Sequence, residues 1–210
     1  MLSELMRKEL RLALVPPAVI FELFAVMMLV PSYQFMIVFF YGLLGIFFVC
    51  MFGRENRDVE YTALLPVSRQ DIVAARFVLS VCLELILVGL SAVFAALRPV
   101  LGIPQNIAGM DPDALFFGLG LLLMGVFNFI FFPSYYRNTN KIGIPFLIAS
   151  LVFAAGLVLS EGGVALSGRS QADLPGKSWV LAGGIAAYAV LTWAAFRLSV
   201  KRFQKMNLNN

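Results

Sequence analysis

Six long apolar stretches, separated by short polar breaks, limit what this chain can fold into more than any other feature. They run at about 17–30, 33–53, 72–97, 114–132, 142–159 and 179–198. Apolar runs of about 18 residues or more read as helices that cross a bilayer. Composition agrees, with 60% hydrophobic and only 13% charged residues, where soluble domains carry about a quarter charged. A chain this apolar cannot hide its surface in one water-facing core. Twenty Phe and nine Met suit lipid-facing and helix-packing surfaces. The expected fold class is an all-α membrane protein, a single transmembrane domain over residues 1–210 with six transmembrane helices.

The net charge of +4 and a pI near 9.3 do not point to nucleic acid. The charges sit in short clusters between apolar runs, the pattern that orients membrane proteins, and no basic stripe with interleaved aromatics is present. The two cysteines, Cys50 and Cys82, lie inside apolar runs; neither a structural disulfide nor a zinc site is expected from them. The chain has no histidine, which removes His-based metal sites, Ser-His and Cys-His pairs and the commonest general base. Residues 3–11, SELMRKELR, mix both charge signs, so the start is not expected to be a cleaved signal peptide.

Residues 3–14 read as an amphipathic helix lying in the membrane interface. Ser3, Glu4, Arg7, Lys8 and Arg11 gather on one side, and Leu2, Leu5, Met6, Leu12 and Ala13 on the other. Glu9 falls in the middle of the apolar side. It is either an exposed residue of a loose terminus or the partner of a basic residue in the polar loops. Pro16-Pro17 ends this helix or opens the next, and the first span is short and carries Glu22. The longest polar interruption follows the second span, in loop 54–71. There Asn56 or Asp58 can cap a short helix over Val59–Leu65, and Pro66 must end it. Ser68-Arg69-Gln70-Asp71 matches a capping box that opens the third span. Residues 98–113 read as an external loop. Residues 133–141, PSYYRNTNK, read as a turn with Tyr135 and Tyr136 at headgroup level. Glu161 to Ser178 reads as a Gly-rich external stretch whose piece Gly162–Leu166 can dip back toward the membrane if protein buries it.

Six spans put both termini on one side. Arg7, Lys8, Arg11, Arg54, Arg57, Arg69, Arg76, Arg137, Lys141, Arg197, Lys201, Arg202 and Lys205 fall on that side, and Arg98, Arg169 and Lys177 on the other. The positive-inside rule then makes the termini and loop 54–71 cytoplasmic in a multi-pass plasma-membrane protein. The inference depends on there being six spans.

Residues able to do chemistry are few. Gly176-Lys177-Ser178 looks like the end of a P-loop, but position 171 is Gln where the motif needs glycine, and the topology puts it outside. No catalytic residue, metal site or ATP site is expected in this chain. Glu22, Glu84 and Asn128 lie inside spans. Carboxylates there are costly and mark function by default, as a polar or substrate contact or in proton coupling; the plainer reading is a hydrogen bond to a neighbouring helix, and for Asn128 that is the better one.

The segment Glu60-x-x-x-Leu64-Leu65-Pro66-Val67-Ser68-Arg69-x-x-Ile72-Val73-x-x-Arg76 resembles the loop between spans two and three of ABC-2 type permeases, the membrane subunits of ATP-driven exporters. The amphipathic start with Lys8-Glu9 resembles that family's N-terminal elbow helix. Pro133-Ser134-Tyr135-Tyr136-Arg137 is similar to its turn between spans four and five. The short bacterial Pmt-type permeases, which export phenol-soluble modulin peptides, look nearest within the family. The resemblance implies a coupling helix between helices 2 and 3, docked in a cleft of a separate ATP-binding subunit. It implies a working unit of two permeases, identical or paralogous, and two ATPases, with ATP and Mg held by the partner and no cofactor in this chain. Glu60, Tyr61, Leu64, Leu65, Pro66, Val67, Ser68 and Arg69 would meet that partner, with Arg54 and Arg57 adding to the polar rim. The plainer reading of the loop is a solvated connector.

Few polar groups in the spans favour apolar or amphipathic cargo such as a peptide or lipid. Two other functions compete with ATP-driven export: a proton-coupled transporter using Glu22 and Glu84, and a membrane scaffold or immunity protein that only binds a partner. An ATPase that co-purifies distinguishes the first, and uncoupler sensitivity the second.

Overall fold

The computed structural model describes residues 2–13, 16–166 and 171–206, which form eight α-helices and no strand. Helix α1 (Leu2–Lys8) widens into a π turn at Glu9–Ala13. Helix α2 (Pro16–Leu23) starts on the proline pair and tightens into a 3₁₀ stretch over Phe24–Leu29. Then come α3 (Met36–Glu55), the short α4 (Asp58–Ala63), α5 (Arg69–Val100), α6 (Ala114–Tyr135), α7 (Gly143–Leu166) and α8 (Lys177–Gln204).

Helices α3, α5, α6, α7 and α8 are each long and apolar enough to cross a membrane. A sixth crossing exists only if Glu4–Arg11 and Pro16–Leu29 are taken as one span broken by a 77° bend. By the usual helical rises, α2 and its 3₁₀ extension measure about 24 Å, short of the roughly 30 Å hydrocarbon layer. The first expected span is therefore the incomplete one, and its 3₁₀ winding stretches a short segment further than an α-helix would.

Two helix starts follow local side-chain chemistry. Ser68, in extended conformation, accepts a hydrogen bond on its Oγ from the Asp71 amide at 3.0 Å and so opens α5. Asp113, not foreseen as a cap, accepts from the Phe116 amide at 3.1 Å and opens α6. The start of α4 differs from expectation. Arg57, with φ 49°, occupies the cap position without a side-chain cap, and the helix runs over Asp58–Ala63 rather than 59–65. Asp58 does not cap because two cations hold its carboxylate.

Three further expectations are corrected. Gly162–Leu166 does not dip back toward the membrane but continues α7, so the fifth span is longer than 142–159. Pro133 lies in the last turn of α6, where one missing backbone donor ends the helix soon after instead of breaking it. Tyr135 and Tyr136 do not face headgroups. Both are buried, edge to face with each other at 5.0 Å and with Phe203 next to Tyr136 at 5.5 Å.

The core is largely aromatic. Phe77 meets Phe132 at 4.3 Å, and Phe47 meets Phe146 at 4.3 Å. Helices α6 and α8 approach most closely, at small residues. A Cβ on Gly118 would stand 2.6 Å from the Val180 carbonyl oxygen, and one on Gly184 would fall on the Gly118 backbone. Such contacts hold helices together where lipid removes the hydrophobic drive between them. Leu147, Leu151, Leu159 and Trp193 on α7 and α8 stay exposed, an apolar outer face for lipid. Side-chain contacts sort the polar segments into two ends. Helix α1, α4, the start of α5 and the ends of α6 and α8 share the terminal end. Segments 30–35, 101–113 and 171–177 share the opposite end.

Candidate functional site

At the terminal end a buried ion cluster joins three elements. Arg76, about two turns into α5, is only 2% exposed, and so is Glu9 in the π turn. Its Nε stands 2.7 Å from Glu9 Oε2 and its Nη2 stands 2.7 Å from Asp58 Oδ2. Nη1 donates to the Val49 carbonyl of α3 at 3.1 Å. Lys8 completes the cluster, 2.8 Å from Asp58 Oδ1 and 3.3 Å from Glu9 Oε1, and donates to Thr62 Oγ1 at 2.9 Å. Thr62 in turn donates to the Asp58 carbonyl at 2.6 Å. Two cations face two carboxylates, so the buried charge balances, which a site this dry requires. Gly53 makes room for it: a Cβ there would lie 3.0 Å from Arg76 Nη1. Of the two places the sequence leaves open for Glu9, the paired one is realised.

The cluster fixes α4 by its N-terminus and leaves the far end of α4 in water. Leu64 is 82% exposed, Tyr61 65% and Leu65 54%. Pro66 is exposed with them, and Glu60 is half-buried. Three large apolar side chains on one short solvent-facing turn form a surface that a monomeric soluble face rarely shows. The other residues expected there are used within the chain. Val67 packs against the core, and Ser68 caps α5. Arg69 Nη1 donates to the carbonyls of Phe203, Gln204 and Met206 at 2.8, 3.0 and 3.0 Å, and its guanidinium lies 5.6 Å from the Phe203 ring. It thereby satisfies the free carbonyls at the end of α8. Arg54 lies 3.9 Å from Glu55.

Inside the bundle, Glu84 of α5, Asn128 of α6 and Tyr188 and Thr192 of α8 form a buried polar knot. Asn128 Nδ2 donates to Glu84 Oε2 at 3.0 Å and to Thr192 Oγ1 at 3.3 Å, and the Tyr188 hydroxyl donates to the same Glu84 oxygen. The knot links three spans, as interhelical hydrogen bonds do in membranes. Tyr188 and Thr192 were not singled out from sequence. Their signal is local: two polar groups four residues apart share one face of an apolar helix. Glu22 is buried as well, with no hydrogen-bond partner among the described residues.

At the opposite end a cavity of about 830 Å³ is lined by Gln34, Asn106, Asp111, Glu161, Gln171 and Lys177, among others. Hydrogen bonds staple its walls: Gln171 both accepts from the Asp111 amide at 2.8 Å and donates to the Asp111 carbonyl at 2.9 Å. The Met110 amide donates to Glu161 at 2.9 Å. The P-loop look-alike lies at this end, where Gly176 takes φ 77° to start α8 and Lys177 pairs with Asp113 at 2.8 Å. Among the described residues no group of three or more metal-ligating side chains is placed to hold an ion.

A family model described as an ABC-2 family transporter protein matches residues 4–204. No curated protein and no solved structure matches the chain.

Proposed function

The chain belongs to the ABC-2 family of transporter proteins and is a membrane permease subunit, a non-catalytic component of an ABC transporter; from that premise we propose that α4 is its coupling helix. On this reading the terminal end is cytoplasmic, and Tyr61, Leu64, Leu65 and Pro66 enter a cleft of a separate ATP-binding subunit, with Glu60 at the rim. The observation that carries it is the pairing of an exposed apolar tip with a buried, charge-balanced root. A tip alone would serve any docking. A tip anchored to α5 through Asp58 and Arg76, and to α1 through Asp58, Thr62 and Lys8, passes a push on α4 directly to the helices behind it. ATP and Mg are held by the partner subunit, and this chain's residues serve only to receive and relay its movement.

A working unit of two permeases and two ATPases, in a bacterial plasma membrane, completes the proposal. Its cargo is an amphipathic or hydrophobic molecule, a peptide or a lipid-like compound, moved outward. The support for that cargo class is the small number of polar side chains in the spans. Glu84 and Asn128 already hold one another, which favours a structural tie over a mobile proton relay.

The test is partner retention. Leu64→Asp with Leu65→Asp, both at exposed positions, should leave the permease in the membrane at parental levels and release a co-purifying ATPase. Retention of the ATPase by the double variant refutes docking at α4.

A further inference from the structure

At the terminal end, the cations differ in how they are held. Lys8 and Arg76 lie in the ion cluster, Arg69 caps α8, Arg7 pairs with Glu4 at 3.5 Å, and Arg197 stands 5.5 Å from the Trp193 ring. Arg137, Lys141, Arg202 and Lys205 do none of these things. They converge on a groove between the ends of α6 and α8 and the start of α7, and no carboxylate lines it. The groove has two adjoining hollows of about 400 and 370 Å³, which share Arg137 and Arg202. Among the described residues none of the four cations has an ion-pair partner.

We propose that this groove binds the headgroup of an anionic phospholipid. This rests on the membrane placement of the terminal end and not on docking of an ATPase to α4. Arg137 and Arg202 present forked donors suited to a phosphodiester, with Lys141 and Lys205 as flanking point charges. The plainer explanation of such cations is that they complement the negative ends of helices. That accounts for Arg202 and Lys205 at the end of α8 and for Arg137 just past α6. It fails for Lys141, which precedes the start of α7 at Gly143, where the helix dipole itself favours an anion. The positive end of α7 and the Lys141 side chain therefore act on the same spot with the same sign.

The floor of the groove selects lipid over other anions. Ile144 and Ile148 line it, one helical turn apart, and are 62% and 49% exposed. Leu151 continues the same exposed apolar face along α7 into the span. A free phosphate needs the cations and has no use for this track. An acidic protein segment would have to follow it into the hydrocarbon. A phospholipid fills both parts at once, phosphate among the arginines and acyl chain along Ile144, Ile148 and Leu151. Basic pockets between transmembrane helices on the cytoplasmic side are suited to anionic headgroups.

The test is native mass spectrometry of the purified full chain after detergent exchange, titrated with phosphatidylglycerol and, separately, with phosphatidylcholine of the same acyl composition. Phosphatidylglycerol should be retained about tenfold more strongly. Arg137→Gln with Arg202→Gln should remove that preference and leave phosphatidylcholine retention unchanged. Lys201→Gln, at a cation outside the groove, should keep it. All three substituted residues are exposed, and an unchanged melting curve confirms that the fold persists. Equal retention of the two lipids by the parent overturns the proposal, as does an undiminished preference in the double variant. Displacement of the bound lipid by millimolar inorganic phosphate also overturns it, since that outcome assigns the groove to small anions.

Discussion

Replacing Arg76 with Gln tests whether the buried cluster holds the terminal end together. The substitution keeps most of the side-chain volume and removes the charge. Glu9 is 3% exposed at its side chain and Asp58 19%, and after the change the two carboxylates have only Lys8 to share. Breaking a buried pair from one side costs about 3–5 kcal/mol, because it strands a charge in a dry site. For a chain of this size each kcal/mol moves the melting temperature by about 2–4 °C. The expected loss is therefore roughly 6–20 °C in a melt followed by tryptophan fluorescence in detergent. Glu9→Gln should cost less, since Arg76 keeps Asp58 at 2.7 Å and the Val49 carbonyl at 3.1 Å. The double variant should be less damaged than the sum of the two, with a coupling energy of about 1.5–3 kcal/mol. Because Tyr61, Leu64 and Leu65 are untouched, the partner ATPase should stay attached while its stimulation by substrate falls. A melt within about 2 °C of the parent for Arg76→Gln, a shift worth no more than 1 kcal/mol, would refute the reasoning. So would two single-variant losses that simply add.

Two further outcomes are expected from the bundle. Gly184→Leu should prevent α6 and α8 from meeting and abolish the folded monodisperse species in size-exclusion chromatography, because even a Cβ there collides with the Gly118 backbone; a normally folded variant would show that the close approach is dispensable. Asn128→Leu should cost about 0.5–3 kcal/mol in the same fluorescence melt by removing one of the two donors to Glu84 Oε2 and the bond to Thr192, whereas Glu84→Gln, which still offers an acceptor to Asn128 and Tyr188, should cost less. The reverse order would show that the Glu84 charge, and not the hydrogen-bonded knot, stabilises the bundle.

Hydropathy alone gives away the five long helices, because insertion into lipid depends on the sum of side-chain transfer energies along a segment and needs no knowledge of its neighbours. The same holds for the Ser68 cap, whose donor and acceptor are three residues apart. It also holds for the apolar tip at Leu64 and Leu65, which stands out as an interruption within a polar loop. The first span was legible only in part. Its composition is apolar enough, but the 3₁₀ winding over Phe24–Leu29 belongs to a segment packed against α3 and α5.

Tertiary structure decided which polar groups meet. Glu9 and Arg76 are 67 residues apart, Arg69 and Phe203 134, and Tyr188 and Glu84 104. No periodicity in the sequence encodes such separations. Arg69 shows the consequence: it lies in the loop motif and reads as a partner contact, yet the free carbonyls at the end of α8 are close enough to take its guanidinium. A side chain's nearest unsatisfied partner is a property of the folded chain, so the sequence could mark Glu9, Glu84 and Arg69 as groups in need of something while only the packed helices determined what each of them found.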